Sequence, residues 1–211
     1  MIFSIAMLED YRRYPIGIQN FEQLRNNDCV YVDKTELVYR LTHTDRVYFP
    51  PFRQEPLVST LEAYFQGKKD LFGGLAMERW EKDWESYLVL HIDFSLTKYM
   101  ELTDLTGQLN LFLHRWEKIY GKDEAEKTAS ERLQGIILRA SEQIGKQVVV
   151  LIDEYDAPLL DSNSDTALQQ QLRNEMRKFF SPPQEVGAVS SLSLHHRHQQ
   201  VQPTEHLQRT E

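Results

Sequence analysis

Six residues, QVVVLI (147–152), constrain this chain more than any other stretch. They form its most β-branched run, follow Gly145, and stop abruptly at Asp153, Glu154, Tyr155 and Asp156. An apolar run without polar alternation predicts a strand buried on both faces, as in a parallel sheet covered by helices. YLVLHIDF (87–94) predicts a second strand of the same kind. Two helical stripes lie between them. Leu102, Leu105, Leu109, Phe112 or Leu113, Trp116 and Ile119 recur at helical spacing and end at Gly121. Leu133, Ile136, Ile137 and Ala140 mark the inward face of a helix over about 124–144. Strands separated by long helices predict an α/β fold, a parallel sheet flanked by helices.

The flanking segments are shorter and more local in character. YPIG (14–17) predicts a turn, and Cys29 to Val32 is β-prone. Asp33 with Glu36 has the spacing of a capping box, which predicts a helix from Lys34 to about Leu41. RVYF (46–49) predicts a short strand, and PPFRQEP (50–56), with three prolines, can be neither helix interior nor central strand. Leu57, Leu61 and Tyr64 or Phe65 predict a helix that closes before Gly67. Ser164 is the expected cap of a last helix whose face carries Leu168, Leu172, Met176 and Phe179 or Phe180. From Ser181 to Glu211 no helical or strand period survives, and four of the seven histidines gather there (His195, His196, His198, His206). The expected organisation is an extension over 1–13, one domain over 14–180 and a disordered tail over 181–211.

Composition removes several function classes. Apolar residues at 41% and charged residues at 27% make a globular chain and not a disordered one. A net charge of -8 does not indicate nucleic acid as a partner, because phosphate backbones call for a basic face. The single Cys29 excludes an internal disulfide and a cysteine zinc cage. The tail histidines have no second shell to build a metal site. No apolar run reaches the roughly 20 residues of a membrane helix, and the opening MIFSIAMLEDY lacks the basic start of a signal peptide. A cytoplasmic setting without membrane contact is expected.

VVVLIDEYD (148–156) carries the chemistry. A buried strand ending in Asp-Glu is the Walker B arrangement of P-loop ATPases. Ligands bind at the carboxyl edge of open α/β sheets. There Asp153 would hold Mg2+, usually through its water, and Glu154 would polarise an attacking water. The plainer alternative is a strand that ends in a polar turn. A P-loop ATPase also needs G-x-x-x-x-G-K-[ST], whose backbone N–H groups and lysine cradle phosphate. It is absent here. Pro50, Pro51, Phe52, Arg53, Gln54, Glu55 and Pro56 contain no glycine and no lysine, and the proline nitrogens donate nothing. Asp33 and Lys34 read as a helix cap with a solvated lysine, His91 as a satisfied core histidine, and Trp80, Trp84 and Trp116 as core or packing residues.

YPIGIQNFEQLR, YVDKTELVYRL, STLEAYFQGKKDLFGGLA, YLVLHIDFS and VVVLIDEYDAPLLD, in this order over residues 14 to 180, resemble the bacterial AAA-ATPase-like proteins. Many of those carry a PD-(D/E)XK nuclease-like domain behind the ATPase domain. The resemblance implies a P-loop NTPase-like α/β fold, ATP and Mg2+ as ligands, and Walker B roles for Asp153 and Glu154. Two departures stand out. Family members read like YYFLSRPRRFGKSLLVSTL where this chain reads VYFPPFRQEPLVSTL, and they pass from KFFS into a strand of the type LFITGI where this chain has its polar tail.

Both departures have the form of frameshifts. With the codons CCG CCG TTT CGG CAA GAG CCT CTT for PPFRQEPL, reading from the next base gives R-R-F-G-K-S-L. Synonymous codons chosen for the tail from Ser193 give L-F-I-T-G-I-N-K-F-S in the same shifted frame. The expectation is a truncated, frameshifted copy of the ATPase-like domain, incomplete on the C-terminal side of its sheet and without ATP turnover. The alternative is a non-catalytic module for protein or nucleotide contacts. No partner is named by the sequence.

Overall fold

In the computed structural model, which describes residues 13–43, 56–180 and the backbone of 189–193, the two apolar runs lie side by side. β1 (Leu88–Asp93) and β2 (Val148–Asp153) pair in parallel, with Leu88 opposite Val148 and Asp93 opposite Asp153. β2 is the centre of the molecule: no residue from Val148 to Ile152 is more than 3% exposed. β1 departs from expectation. Leu90 and Ile92 are buried but Leu88, Val89 and His91 are half-buried, because among the described strands β1 has a neighbour on one edge only.

The tail requires a correction. No strand was expected over 181–211, yet β3 (Val189–Ser193) lies there, parallel to β2 with Val148 opposite Val189 and Ile152 opposite Ser193. The sheet order is β1-β2-β3. The physical reason lies in β2. A strand buried on both faces cannot leave the N–H and C=O groups of either edge to water, so a second neighbour is required. RVYF (46–49), the proline segment from Pro50 to Glu55, residues 1–12 and the four tail histidines lie outside the described residues.

Helices cover both faces of the sheet, and the period-two alternation of β2 assigns its side chains between them. Val148, Val150 and Ile152 join Leu90 and Ile92 in one core with α5 (Leu102–Tyr120), α6 (Ala129–Ile144) and α8 (Thr166–Phe180). Val149 and Leu151 join the other, built from α1 (Phe21–Asn26), α2 (Thr35–Thr42), α3 (Leu57–Phe65), the 3-10 turn Lys69–Phe72 and α4 (Met77–Trp80). A short α7 (Ala157–Asp161) follows β2. This is an α/β architecture with a parallel sheet between helical layers.

Several helix ends differ from expectation for reasons visible in their caps. α6 starts at Ala129 and not near 124, because Thr128 and Glu131 form the capping box: Glu131 N–H donates to Thr128 Oγ1 at 3.2 Å and Thr128 N–H to Glu131 Oε2 at 2.8 Å. α8 is capped by Asp165 in place of Ser164, its Oδ1 accepting from Ala167 and Leu168 N–H at 3.0 and 2.9 Å. Asp33 and Glu36 form no capping box. Asp33 instead accepts from Thr35 N–H (2.9 Å), Thr35 Oγ1 (2.6 Å) and Ala76 N–H (2.7 Å), tying α2 to the start of α4, while Glu36 pairs with Arg40. The β-prone stretch after Cys29 contributes a single bridge, to Arg13, and no strand. The turn at YPIG is present, closed by Ile18 N–H donating to Pro15 C=O. Among the described residues no helix is long and apolar enough to cross a membrane.

Candidate functional site

The carboxyl edge of the sheet gathers the chain's strand-end acids. β2 ends at Asp153 because the apolar run ends there, and its parallel register sets Asp93 at the end of β1 directly beside it. Asp93 Oδ1 accepts from Ser95 N–H at 2.8 Å, which caps the 3-10 turn Phe94–Leu96. Asp153 Oδ1 accepts from Glu154 N–H at 2.9 Å. Glu154 turns the chain sharply out of the sheet with φ of 49°, a left-handed conformation uncommon for a residue with a Cβ. Its C=O accepts from Ala157 N–H at 2.9 Å and starts α7, where Pro158 fits the first turn.

Neighbouring elements lock this edge. Asp161 at the end of α7 accepts from Lys98 Nζ (3.0 Å) and Tyr99 N–H (3.2 Å), fastening α7 to the loop after β1. The Tyr155 ring packs against Phe180 of α8 at 5.7 Å. Burial raises the Tyr155 phenol above its ordinary range, and Arg177 and Arg173 on α8 are near enough to pull it back. These cations and Asp93 and Asp161 escaped the sequence analysis. The signal for the arginines was their four-residue spacing on the last helix; nothing local marked Asp93 beyond its place at the end of an apolar run.

The acids of DEYD (153–156) share one turn. Asp156 Oδ1 is buried and has no hydrogen-bond partner among the described residues. A buried acceptor of this kind calls for a cation or a water donor. Among the described residues no three His, Cys, Asp or Glu side chains converge as a ready metal cage.

Other candidates do not join this edge. His91 bonds Glu62 of α3, Nδ1 to Oε2 at 3.4 Å, while its buried Nε2 has no partner among the described residues, so it is only half satisfied. Burial pushes the imidazole down, but the Glu62 carboxylate outweighs it and holds the group above its ordinary value. Lys34 is half-buried and makes no side-chain cap. Trp84 belongs to the α3-side core and Trp116 packs on the α5–α6 core, but Trp80 is 39% exposed and is no core residue. Of the proline segment only Pro56 is described. It stands just before α3, and its C=O accepts from Thr60 N–H and from the Ser59 and Thr60 hydroxyls, each at 2.9 Å.

The family model described as Predicted AAA-ATPase matches residues 15–192. The chain belongs to the AAA-ATPase-like family. The match runs from YPIG through β2 and into β3, so it spans both helical layers and the carboxyl edge. An "Uncharacterized protein in vnfD 5'region" of Azotobacter chroococcum mcd 1 is 32% identical over 177 residues, 81% of this chain and 34% of that protein. The chain thus spans about a third of the length of this curated relative. No solved structure matches the present chain.

The turn after β2 lends itself to a stability test. A non-glycine residue in the left-handed region costs about 1–2 kcal/mol, and glycine's extra unfolded-state freedom costs about 0.4–1 kcal/mol. Glu154→Gly is therefore expected to gain up to about 1 kcal/mol in urea unfolding, and Glu154→Val to lose a similar amount. A marked loss on Glu154→Gly would show that the carboxylate's contacts outweigh the backbone strain.

Proposed function

We propose that this chain is the nucleotide-binding domain of an AAA-ATPase-like protein, cytoplasmic and of P-loop NTPase fold, in which β2 is the Walker B strand and the phosphate cradle has been lost. The supporting observation is the position of Asp153. It ends a fully buried central parallel strand, at the carboxyl edge where α/β sheets bind ligands, with Asp93 in register beside it.

The metal half of the site fits by donor chemistry. Asp153 would hold Mg2+ through its water, and the orphaned Asp156 Oδ1 lies within the same turn. When bound, Mg2+ with ATP supplies charge neutralisation for phosphoryl transfer. Glu154 is the group suited to orient and deprotonate a water in a complete site. The phosphate half does not fit. Pro50 to Pro56 hold one cation, Arg53, beside Glu55, and offer no glycine backbone and no lysine. No hydrolytic step follows for this sequence.

The two departures from the family are read as frameshifts, the first compensated near Leu57 and the second not. Sequencing the gene across codons 46–60 and from 178 onward checks this. An intact frame encoding F-G-K-S-L would make the present residues an error of the record.

The biochemical test is direct. Titration calorimetry with MgATP up to about 1 mM, the upper end of ordinary substrate constants, is expected to give no saturable binding that depends on Asp153, and phosphate release is expected to match buffer. Turnover that disappears on Glu154→Gln would overturn the loss of function.

A further inference from the structure

α2 and α4 meet in an open cleft of about 480 Å³, lined by Glu36, Tyr39, Arg40, Arg79 and Trp80. That volume falls within the ~300–1,000 Å³ of small-ligand sites. None of its lining residues belongs to the carboxyl edge of the sheet, and the proposed function uses none of them.

The cleft wall is braced from behind. His43 stacks on the Tyr39 ring at 4.0 Å and 25°, and its Nδ1 lies 2.9 Å from the Tyr39 C=O. On its other side His43 Nε2 lies 3.5 Å from Glu81 Oε2. Glu81 is buried and accepts from Tyr64 Oη at 2.6 Å and from the N–H groups of Lys82 and Asp83 at 2.9 Å. Trp80 tilts toward Tyr39, with ring centroids 5.6 Å apart at 50°. An aromatic pair fixed in this way presents its free surface at little entropic cost.

The donors of the cleft are unspent. Among the described residues the Arg79 guanidinium, the Trp80 indole N–H and the Tyr39 hydroxyl have no hydrogen-bond partner. Arg40 gives only its Nη2, to Glu36 at 2.6 Å. Two guanidinium groups face one carboxylate, inside a chain whose net charge is -8. A guanidinium fork suits carboxylate and phosphate oxygens, and an exposed indole rewards a flat ring. The overall negative charge disfavours a polyanion and favours a small ligand.

We propose that this cleft binds a small planar ring carrying an anionic group, the ring against Trp80 and the anion on Arg79 and Arg40. A nucleoside monophosphate and an aromatic carboxylate share this chemistry. The test is calorimetry on the chain in EDTA, which removes Mg2+ from any second site, with AMP, benzoate and inorganic phosphate as probes. AMP or benzoate is expected to bind at about 1 mM or tighter, and whichever binds better identifies the source of the ring. Phosphate alone is expected to bind at least about tenfold more weakly. Arg79→Ala is expected to weaken the ring ligand about tenfold or more, and Trp80→Ala about fivefold. Both side chains are exposed, and circular dichroism checks that the fold is kept. Asp153→Asn is expected to leave binding unchanged. The proposal fails if neither ring ligand binds by about 10 mM. It also fails if phosphate binds as tightly as AMP, or if Arg79→Ala has no effect. Loss of AMP binding in Asp153→Asn would move the ligand to the sheet edge and refute the cleft.

Discussion

Replacing residues 50–56 by L-S-R-P-R-R-F-G-K-S-L is expected to tighten ATP binding at the carboxyl edge of the sheet by more than about a hundredfold. The exchange supplies what residues 50–56 do not contain: a glycine whose backbone can approach phosphate, a lysine for the β- and γ-phosphates, and a serine for Mg2+. Each charge-assisted hydrogen bond contributes about 1.5–3 kcal/mol. Two or more together amount to at least about 3 kcal/mol, more than about a hundredfold in Kd. The graft joins a helix already prepared for it. α3 begins at Leu57, and Ser59 at its first turn accepts from Phe21 N–H at 2.9 Å, so its start is fixed against α1. Calorimetry with MgATP reads the gain. Changing the introduced lysine to alanine should remove most of it, and Glu154→Gln in the same background should keep binding while abolishing phosphate release. A grafted chain that folds, as judged by circular dichroism, yet binds no ATP would mean that β2 is not a Walker B strand.

What the sequence made legible divides along physical lines. β2, α5 and α8 were readable because burial writes itself into long periodic runs, and Val148 to Ile152 can be nothing but a covered strand. The place of Asp153 and Glu154 at the end of the strand was readable for the same reason, as the first polar residues after that run. Helix starts were less so, since several Ser, Thr and Asp candidates compete over a few residues. Asp165 won over Ser164, and Thr128 with Glu131 fixed a start that hydrophobic spacing alone put five residues too early. Asp33 misled because its cap-like spacing serves a tertiary bond to Ala76 N–H, which no local pattern reports. β3 was invisible: the need for it resides in the unpaired edge of β2 and not in the serines of 189–193. Asp93 and the α8 arginines come to the carboxyl edge through strand register and helix packing, which are consequences of the fold.

The second large effect concerns the helical layer that carries α3. Phe72→Ala is expected to cost about 3–5 kcal/mol, against the roughly 5–15 kcal/mol that holds a typical domain together. Phe72 is fully buried, with ring centroids 5.0 Å from Phe21 of α1, 5.0 Å from Trp84 and 6.5 Å from Tyr64 of α3. α1, α2 and α3 have only 6, 8 and 9 residues, too short to persist as helices without packing. The aromatic cluster therefore supplies their stability, whereas α5, α6 and α8, with 19, 16 and 15 residues, share a broader, mainly aliphatic core. Removing the Phe72 ring leaves a cavity where α1 and α3 meet the ring of Trp84. Urea unfolding should show the loss as a lower midpoint, and hydrogen exchange should quicken in α1 to α3 before α5 and α6. Trp80→Ala, at an exposed position, should stay within about 0.5 kcal/mol of the parent. A loss below about 1 kcal/mol for Phe72→Ala would mean that the layer collapses onto the vacancy. The start of α3, and any nucleotide site built on it, would then rest on the β2 face through Leu57 and Leu61 instead of on the ring cluster.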